Sequence, residues 1–447
     1  MMKHSLWFTI FSFFISSAIA DDWAKWLGPT GDSVYHEQGV ITSIPDEGLK
    51  VLWEAPVAMG YSGPSVANGR VYLMDYVRDT GELTNNAGTR DQLTGVERVI
   101  CIDAETGEQI WKVEYPRSYR ISYPGGPRCI PVVADGKVYA LGAEGNLNVL
   151  EADSGKQVWS KNFNVDFNSE TPVWGYAAHP LVYRDTIYCI VGGEGSVVVA
   201  FDKNTGKERW RALSASSQGY CPPSIVKHGG VEQLLIWHAE ALSGLNPETG
   251  EVYWSEDLKP SWGGAIQVPR KLGSQLYVAG PGAAALYQLE NDNGKPGIEM
   301  IWRGNPRNAV YAVNGSLIFD KSAIYGVDQV ASALIAVNRE DGSRLWETQE
   351  PILAEVGTRA KHGTAFLVRY KDSNLYYILS ETGDLIFADI TPDGYKELNR
   401  QHVLEPTNAT YGRPVVWSHP AFAERTMYAR NDKKLIAVDL NESHYSR

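Results

Sequence analysis

The chain has 447 residues and a formal net charge of −12 at pH 7; 43% of its residues are hydrophobic and 21% are charged. This balance excludes a disordered chain, a collagen and a coiled coil, and it disfavours non-specific binding to nucleic acids or anionic membranes. Four cysteines in this length are too few for a fold built on disulfides.

The first twenty residues have the pattern of a secretory signal peptide. Lys3 precedes a short apolar run, and small residues at Ala18 and Ala20 come before an acidic pair. The run is too short for a transmembrane helix, and no later stretch reaches about 18 apolar residues. The sequence therefore predicts cleavage near Ala20, export to the periplasm or the extracellular space, and no integral membrane segment. No cysteine follows the predicted cut, so no lipid anchor is predicted there.

Two non-repetitive stretches follow the signal. Residues 21–50 come before the repeats and are interpreted as an extended N-terminal segment. The first repeated unit then contains a polar insertion at about residues 78–97, rich in Gly, Asn and Thr. We expect this insertion to be a surface excursion, with a lid or a partner-binding loop as the alternative.

An internal repeat dominates the rest of the chain. Each copy has an alternating strand, an Asx-led turn ending in glycine, and a tryptophan four residues after that glycine. Asn and Asp side chains bond to their own backbone and glycine accepts positive φ, so these turns suit hairpins. Clear copies end in Trp111, Trp159, Trp210, Trp254 and Trp346, and degenerate copies end in Trp302 and Leu398.

The repeat predicts an all-β, eight-bladed β-propeller of four-stranded antiparallel blades over residues 51–440. The strand around Trp53 has no preceding strands, and the last unit ends after Asp439 without its outer strand. We therefore expect the ring to close by pairing of the N- and C-terminal strands, which removes exposed sheet edges. The tryptophans are predicted to be wedges between blades, and residues 441–447 form a tail.

The unit of alternating strand and Asp-x-x-Thr-Gly-x-x-x-Trp resembles the pyrroloquinoline-quinone-like (PQQ-like) propeller repeat, from Trp53 to Leu440. Two further segments resemble bacterial exported members: Trp23-Ala-Lys-Trp26-Leu-Gly-Pro29 and Thr391-Pro-Asp-Gly-Tyr-Lys-Glu-Leu398. The resemblance implies the propeller fold and leaves the function open, because fold alone does not determine chemistry.

Two branches of the resemblance imply different functions. Quinoprotein dehydrogenases hold the quinone and calcium on the propeller axis and stack the quinone on a disulfide between adjacent cysteines. Here Cys101, Cys129, Cys189 and Cys221 are nowhere adjacent, and no catalytic or calcium-binding residue can be transferred. The other branch is the non-catalytic scaffold of the outer-membrane barrel-assembly machinery, a lipoprotein whose anchoring cysteine this chain lacks.

The expected function is therefore an exported, non-catalytic binding or interaction scaffold that needs no cofactor. Its partner is expected to be a protein, a glycan or a small ligand, with association with the outer membrane left open and nucleic acid excluded. The alternative is a dehydrogenase that uses PQQ and calcium to oxidise an alcohol or a sugar.

Loops that enter the innermost strands meet at one mouth of a propeller channel, where a rigid scaffold presents functional side chains. Flat rings with Arg and His suit an aromatic quinone, a sugar face or an anion, whereas the alternative is that they only cap the channel. The predicted ligand-binding residues are Tyr61, Arg128, Trp174, Tyr176, His179, Trp262, Arg359, His362, Arg413 and His419. Tyr123, Tyr220, Arg307, Asn308, Tyr311, Lys361 and Tyr411 belong to the same loops.

Neither metal binding nor a disulfide pairing follows from the sequence. His179, His362 and His419 come from three different blades, and no paired His or Cys spacing supports a metal site. Export makes disulfides chemically accessible, so bridges between neighbouring blades and buried free thiols both remain open for the four cysteines.

Overall fold

A computed structural model of the protein describes residues 22–305, 307–353 and 360–445. The predicted signal at residues 1–20 lies outside these ranges. The described chain forms eight blades, each with a core of four antiparallel strands. Its helical content is one four-residue helix, α1 (Phe163–Asp166), and two 3-10 turns at Ser261–Gly263 and Glu442–His444. The predicted eight-bladed β-propeller is confirmed.

The first four blades follow two strands of the N-terminal region, β1 (Val34–Tyr35) and β2 (Val51–Pro56). Blade 1 contains β3 (Ser65–Ala67), β4 (Arg70–Thr80), β5 (Asp91–Asp103) and β6 (Gln109–Pro116), and β7 (Tyr119–Ile121) pairs with the start of β5. Blade 2 contains β8 (Val132–Ala134), β9 (Lys137–Leu141), β10 (Asn146–Glu151) and β11 (Gln157–Asn162). Blade 3 contains β12 (Leu181–Tyr183), β13 (Thr186–Ile190), β14 (Val198–Asp202) and β15 (Glu208–Ala212), and blade 4 contains β16 (Ser224–His228), β17 (Val231–Trp237), β18 (Ala241–Leu245) and β19 (Val252–Asp257).

The last four blades repeat this order. Blade 5 contains β20 (Arg270–Leu272), β21 (Gln275–Gly280), β22 (Ala283–Asp292) and β23 (Lys295–Arg303), and blade 6 contains β24 (Ala312–Phe319), β25 (Ile324–Asp328), β26 (Ala333–Val337) and β27 (Arg344–Thr348). Blade 7 contains β28 (Ala365–Tyr370), β29 (Leu375–Ser380), β30 (Asp384–Thr391) and β31 (Gly394–His402). A small hairpin of β32 (Asn408–Thr410) and β33 (Arg413–Val415) precedes blade 8, which contains β34 (Ala421–Ala423), β35 (Thr426–Arg430), β36 (Lys434–Asp439) and β2.

The repeated turn folds as its sequence predicts. In blade 1 the Asp103 carboxylate accepts hydrogen bonds from the backbone N–H groups of Glu105 (3.0 Å) and Thr106 (2.9 Å). Gly107 follows with a φ of 75°, a left-handed conformation that glycine adopts without steric penalty. The turn therefore joins β5 and β6 in a hairpin and places Trp111 in the gap beside the next blade.

The tryptophans that follow these turns fill the gaps between successive blades. Trp111 is 9% exposed, and its indole N–H donates to the carbonyl of Ala152 in the next blade at 2.9 Å. A Cβ placed on Gly155 would lie only 2.8 Å from this ring, so the turn of the next blade packs directly on the indole. Trp53, Trp159, Trp210, Trp302 and Trp346 make equivalent bonds to carbonyls of the following unit, whereas Trp254 bonds to the side chain of Gln233.

The two ends of the repeat region close the ring. Strand β2 pairs antiparallel with β36, placing Val51 opposite Val438 and Trp53 opposite Ala437. The eighth blade thus takes its outer strand from the start of the repeat region and its inner three strands from the end, as predicted.

The segment before β2 crosses the channel. Trp23 forms a bridge with Val66 of blade 1, and the carbonyl of Ala24 accepts a hydrogen bond from the blade 2 residue Val133. Farther along, β1 runs parallel to β28 of blade 7, opposite the last two residues of that innermost strand. Residues 23–35 therefore contact the innermost strands of blades 1, 2 and 7 as they cross the channel.

All four cysteines are buried free thiols, at 0–1% exposure, so the open question about bridges is resolved in favour of packing. Burial raises the pKa of Cys101 to about 12, which makes a reactive thiolate unfavourable there. In the described residues, no helix has the length and apolar character needed to cross a bilayer.

Candidate ligand-binding site at the channel mouth

A cavity of about 660 Å³ opens where the innermost strands begin. Its walls combine aromatic rings with small apolar side chains, and few of the described lining residues carry charge. The eight Trp and Tyr residues among them are Trp26, Tyr61, Tyr123, Trp174, Tyr220, Trp262, Tyr411 and Trp417. The polar lining residues are Arg128, His179, Asn314, Gln329, Lys361, His362 and His419.

The structure brings together seven of the ten residues predicted from the loop pattern. Tyr61, Arg128, Trp174, His179, Trp262, His362 and His419 line the cavity, as do Tyr123, Tyr220, Lys361 and Tyr411 from the same loops. Tyr176 and Arg413 are outside the lining set, as are Arg307, Asn308 and Tyr311. Arg359 lies outside the described residues.

Two predicted residues serve the scaffold beside the cavity. Tyr176 is buried against Phe163, with ring centroids 5.4 Å apart, and its hydroxyl lies 2.7 Å from that of Ser169. Arg413 donates two hydrogen bonds to the Glu381 carboxylate, at 2.7 and 3.1 Å. Both side chains therefore have partners within the protein, which explains why the structure does not direct them into the cavity.

The floor of the cavity comes from a residue that the loop pattern does not identify. Trp26, in the segment crossing the channel, stacks on His179 with ring centroids 4.7 Å apart and an interplanar angle of 6°. His419 meets the same indole edge-on at 5.5 Å. Trp26 precedes the repeats, so its position in the fold cannot be obtained from their register.

The insertion in blade 1 is largely exposed, and its tip contributes to the mouth of the cavity. Strands β4 and β5 extend into it, and Ala87 and Gly88 at its tip line the cavity. The carbonyl of Ala87 accepts a hydrogen bond from the Trp174 indole at 3.2 Å, and the Asn85 amide donates to the carbonyl of Ala409 at 2.6 Å. We call residues 81–90 the mouth loop, because these bonds tie it to loops beside blades 3 and 8.

Four ring-bearing lining residues have left-handed backbones. The φ angles are 49° at Tyr123, 58° at Trp262, 55° at His362 and 47° at Tyr411. Such a conformation costs a non-glycine residue about 1–2 kcal/mol, and strain of this kind clusters at functional sites. The strained backbone holds rings at the mouth even where they are open to solvent, as at Trp262, which is 66% exposed.

One partly buried cation contacts the cavity. Arg128 donates hydrogen bonds to the carbonyls of Gly126, Ser122 and Tyr123, and its guanidinium lies 5.1 Å from the ring centre of Tyr61. No carboxylate of the described residues lies within 4.0 Å of it. Burial lowers the pKa of Arg128. Its charge is therefore contacted by carbonyl dipoles and the Tyr61 ring, and the Glu144 carboxylate attracts it from beyond ion-pair distance.

The histidines of the cavity are neutral near pH 7. Burial lowers the pKa of His179 and of His419 to about 3, and burial with the nearby Lys361 charge lowers that of His362 to about 4. His419 donates through Nε2 to the carbonyl of Asn314 at 3.0 Å. Both nitrogens of His179 and the indole N–H of Trp26 are buried without a hydrogen-bond partner in the described structure. Buried polar atoms usually have partners, so these three atoms are exceptions within the described structure.

Acidification should destabilise the protein through His179 and His419. Their pKa lies near 6.5 in the unfolded chain and about 3 in the fold, so the unfolded chain binds more protons between these values. Their stabilising contribution is complete above about pH 6.5 and is lost as the pH falls toward about 3. At about pH 4.5, each histidine should lower the free energy of unfolding by about 2–3 kcal/mol relative to neutral pH. Urea unfolding at neutral pH and at about pH 4.5 measures this loss.

The variant His179→Phe provides the control for this pH dependence. Phenylalanine keeps a flat ring against Trp26 but cannot be protonated, so the variant should lose about 2 kcal/mol less stability between neutral pH and about pH 4.5. An identical pH dependence in the variant and the natural protein would contradict the assignment.

A buried carboxylate supports the wall of the cavity. Glu381, 1% exposed, accepts hydrogen bonds from Arg413, from the Thr364 backbone N–H at 2.9 Å and from the Trp417 indole at 3.3 Å. These donors use its oxygens within the protein, so Glu381 fixes the lining residue Trp417 without lining the cavity itself.

The described residues contain no group of three His, Cys, Asp or Glu side chains placed to hold a metal ion. The three histidines considered from the sequence have other roles. His179 and His419 flank Trp26, whereas His362 stacks on Tyr411 with ring centroids 5.1 Å apart.

Comparison with known proteins places this propeller among two kinds of relatives. The chain is 24% identical over 345 residues to the quinohemoprotein alcohol dehydrogenase ADH-IIG of Pseudomonas putida, covering 70% of this chain and 40% of that protein. It is 24% identical over 307 residues to the outer membrane protein assembly factor BamB of Burkholderia pseudomallei, covering 66% and 71% of the two chains. The crystal structure of the quinohemoprotein alcohol dehydrogenase from Comamonas testosteroni matches 95% of this chain and 81% of that one, at 14% identity and a TM-score of 0.62.

These similarities agree with the resemblance to PQQ-like propellers. The chain spans 40% and 34% of the lengths of two curated quinoprotein relatives, from Pseudomonas putida and Pseudomonas aeruginosa, so their complete activities do not transfer to it. A family model described as outer membrane protein assembly factor BamB matches residues 95–230 and 238–446. Because this match covers more than half of the sequence, the chain belongs to the family described as outer membrane protein assembly factor BamB.

Proposed function

We propose that this protein is an exported binding module that holds a small ligand in the channel-mouth cavity and does not transform it. The observation that carries the proposal is the cavity itself: about 660 Å³, with eight Trp and Tyr residues among its described lining. Sites for small molecules are typically concave and apolar, with a few polar groups that fix the ligand's orientation. Export is proposed from the signal-like pattern at residues 1–20.

The polar atoms of the floor support a ligand. The indole N–H of Trp26 and the ring nitrogens of His179 lie buried at the base of an otherwise apolar cup. Hydrogen bonds to such atoms contribute more than in water, because the surroundings have a low dielectric constant. The strained backbones at Trp262 and Tyr411 also fit a binding role, since strain is retained where it positions functional side chains.

A protein or glycan partner is the other form of the binding proposal. The relationship to an outer membrane assembly factor favours a protein partner and leaves association with the outer membrane open. The cavity favours a small ligand, because its aromatic lining surrounds a concave space of about 660 Å³. A protein or glycan could enter only by inserting a side chain or a single sugar unit.

The similarity to alcohol dehydrogenases suggests a second function, oxidation of an alcohol or a sugar with PQQ and calcium. The described residues do not fit that pair. No Asp or Glu is among the described lining residues, whereas calcium is held by carboxylate and carbonyl oxygens. None of the four buried cysteines is in the described lining, so the quinone would lack a disulfide to stack on. The described lining therefore does not support oxidation of a substrate with PQQ and calcium.

An assay with the quinone and calcium tests the absence of catalysis. Purified protein would be titrated with PQQ and calcium, and reduction of an artificial electron-accepting dye would be followed with a series of alcohols and sugars. We expect neither saturable quinone binding nor dye reduction above the rate without protein, because the lining offers no carboxylate for calcium. Saturable binding with dye reduction would overturn the non-catalytic proposal.

Binding itself is tested with 2-naphthol, an uncharged two-ring probe, by quenching of tryptophan fluorescence. We expect saturable quenching that becomes about threefold to tenfold weaker in Trp262→Ala, which removes an exposed ring of the mouth without opening the core. Val165→Ala, at an exposed site on α1 and outside the described cavity lining, is the matched control. Equal affinities in Trp262→Ala and the natural protein, or no saturable binding at all, would contradict the proposed site.

A further inference from the structure

The charge around the cavity differs in sign from that of the protein. The whole chain carries 53 acidic and 41 basic residues, giving a net charge of −12. The described cavity lining has two permanently charged side chains, Arg128 and Lys361, and both are cations. The mouth is thus a region of positive potential within an acidic protein, and its apolar walls strengthen that potential by excluding water.

Arg128 carries the part of this charge that is better shielded from solvent, because its side chain is partly buried. A guanidinium has five N–H donors, and the three hydrogen bonds of Arg128 all go to neutral backbone carbonyls. A buried charge without a counter-charge is energetically unfavourable, and truncating one partner of a buried ion pair leaves such a charge. The described residues supply no carboxylate within 4.0 Å, so an anionic ligand would provide the missing partner.

Lys361 differs from Arg128 in its surroundings. Its ammonium lies 4.9 Å from the ring centre of Tyr411, and the residue is exposed at the rim. Water and salt screen an exposed charge, so Lys361 attracts anions weakly and without fixed geometry. Arg128 is held in place by its three carbonyl bonds, and its Nε–H and second Nη1–H have no hydrogen-bond acceptor among the described residues, so either can donate to a carboxylate.

A second cation, Arg270, adds positive charge below the floor of the cavity. Arg270, in the innermost strand of blade 5, donates to the carbonyl of Gly31, five residues after Trp26. Its Nε and second terminal nitrogen are buried without a partner in the described chain, and no carboxylate there lies within 4.0 Å. The Asp32 carboxylate attracts Arg270 from beyond that distance and offsets part of its charge, so Arg128 remains the main cation facing the cavity.

The aromatic walls of the cavity indicate the shape of the uncharged part of the ligand. Two pairs of rings present flat faces, Trp26 on His179 at the floor and His362 on Tyr411 at the rim. Flat faces pack best against a planar aromatic body, and an offset stack adds about 0.5–1.5 kcal/mol beyond the area it buries. Of the two cations in the described lining, Arg128 is the one shielded enough to hold a carboxylate at a fixed position, and a second carboxylate would find only the exposed Lys361 there.

We propose that the cavity binds a planar aromatic monocarboxylate, whose ring lies among the aromatic side chains of the mouth and whose carboxylate pairs with Arg128. This inference rests on the proposed binding function and names the class of its ligand. The proposed ligand differs from a quinone with three carboxylates, because such a quinone would carry two more carboxylates than Arg128 can balance.

Three probes of nearly equal shape test the charge. 2-Naphthoate is an anion, 2-naphthamide is neutral and 2-naphthylmethylammonium is a cation, and binding of each is measured by calorimetry and by tryptophan quenching. We expect the carboxylate to bind about 10- to 100-fold more tightly than the amide, the gain typical of a charge-assisted hydrogen bond in a buried site. The ammonium should show no saturable binding. Octanoate, an aliphatic acid, should bind at least about tenfold more weakly than 2-naphthoate.

Variants of Arg128 assign the preference to this side chain. Arg128→Met should make 2-naphthoate and 2-naphthamide bind with equal affinity, whereas Arg128→Lys should retain at least part of the preference for the carboxylate. Lys361→Met, which removes the exposed cation, should leave that preference within about twofold. Thermal unfolding of each variant identifies any that fails to fold, and Arg128→Lys keeps the test decisive if Arg128→Met does not.

The outcomes separate the inference from the function beneath it. Equal affinity for the acid and the amide in the natural protein would overturn the anion preference and leave the binding function standing. A preference that survives in Arg128→Met would overturn the role of Arg128. Failure of all the naphthyl probes, including 2-naphthol, would overturn both proposals.

Discussion

Replacing Trp111 by alanine should lower the free energy of unfolding by about 3–5 kcal/mol, the usual cost of deleting a large buried aromatic side chain. The indole fills the gap between the first two blades and donates to the Ala152 carbonyl, so the variant leaves both a cavity and an unpaired acceptor. Gly155 packs on the ring face and cannot follow it inward without disturbing its turn. Urea unfolding followed by circular dichroism measures the loss.

The same position of another blade supplies the control. Leu398 occupies the wedge position of blade 7 but is 43% exposed, so Leu398→Ala should cost less than about 1 kcal/mol. Similar losses in the two variants would contradict the view that burial between blades, rather than repeat position, makes the tryptophans stabilising.

Replacing Glu381 by alanine should also lower the free energy of unfolding, by about 3 kcal/mol, because it leaves the partly buried Arg413 guanidinium without its counter-charge. The same change releases Trp417, whose indole N–H bonds to this carboxylate. We therefore expect 2-naphthol to bind more weakly to the folded variant than to the natural protein. Urea unfolding and fluorescence titration measure the two effects separately.

Glu397→Ala is the matched control for this variant. Glu397 pairs with Arg400 in the outer strand of blade 7, where both side chains are partly exposed, so its loss should cost no more than about 1 kcal/mol. It should leave 2-naphthol binding unchanged, since Glu397 does not line the cavity. A Glu381→Ala protein as stable as Glu397→Ala would show that the buried ion pair does not hold the mouth together.

The architecture was predictable because one local rule recurs along the chain. The Asp103 turn and Trp111 together specify a hairpin and a wedge, and each later copy specifies the same geometry independently. The missing outer strand of the last unit then required the strand around Trp53, and that pairing is present. Trp254 shows the limit of the rule, because its indole bonds to Gln233 in its own blade rather than to the next turn.

The site was predictable only in part, because position in a loop does not give the direction of a side chain. His179 and Tyr176 lie three residues apart, yet His179 lines the cavity while Tyr176 packs into the core beside Phe163. Trp417 lies two residues before His419 in the same entering loop, and that proximity was the signal that could have identified it. Trp26 and the mouth loop lie outside the repeat pattern, so no register relates them to the mouth.

The segment that crosses the channel and ends in β1 makes contacts that form late in folding. Trp26 lies near the start of the chain but stacks on His179 of blade 3. Strand β1 pairs with β28, which is more than 300 residues farther along the chain. Contacts of such separation form late, because the intervening chain must be ordered before they add stability. A chain lacking its last units would therefore lack Trp417 and His419 of the cavity lining and the strand that closes the ring, so the protein can retain a ligand only when the whole ring has folded.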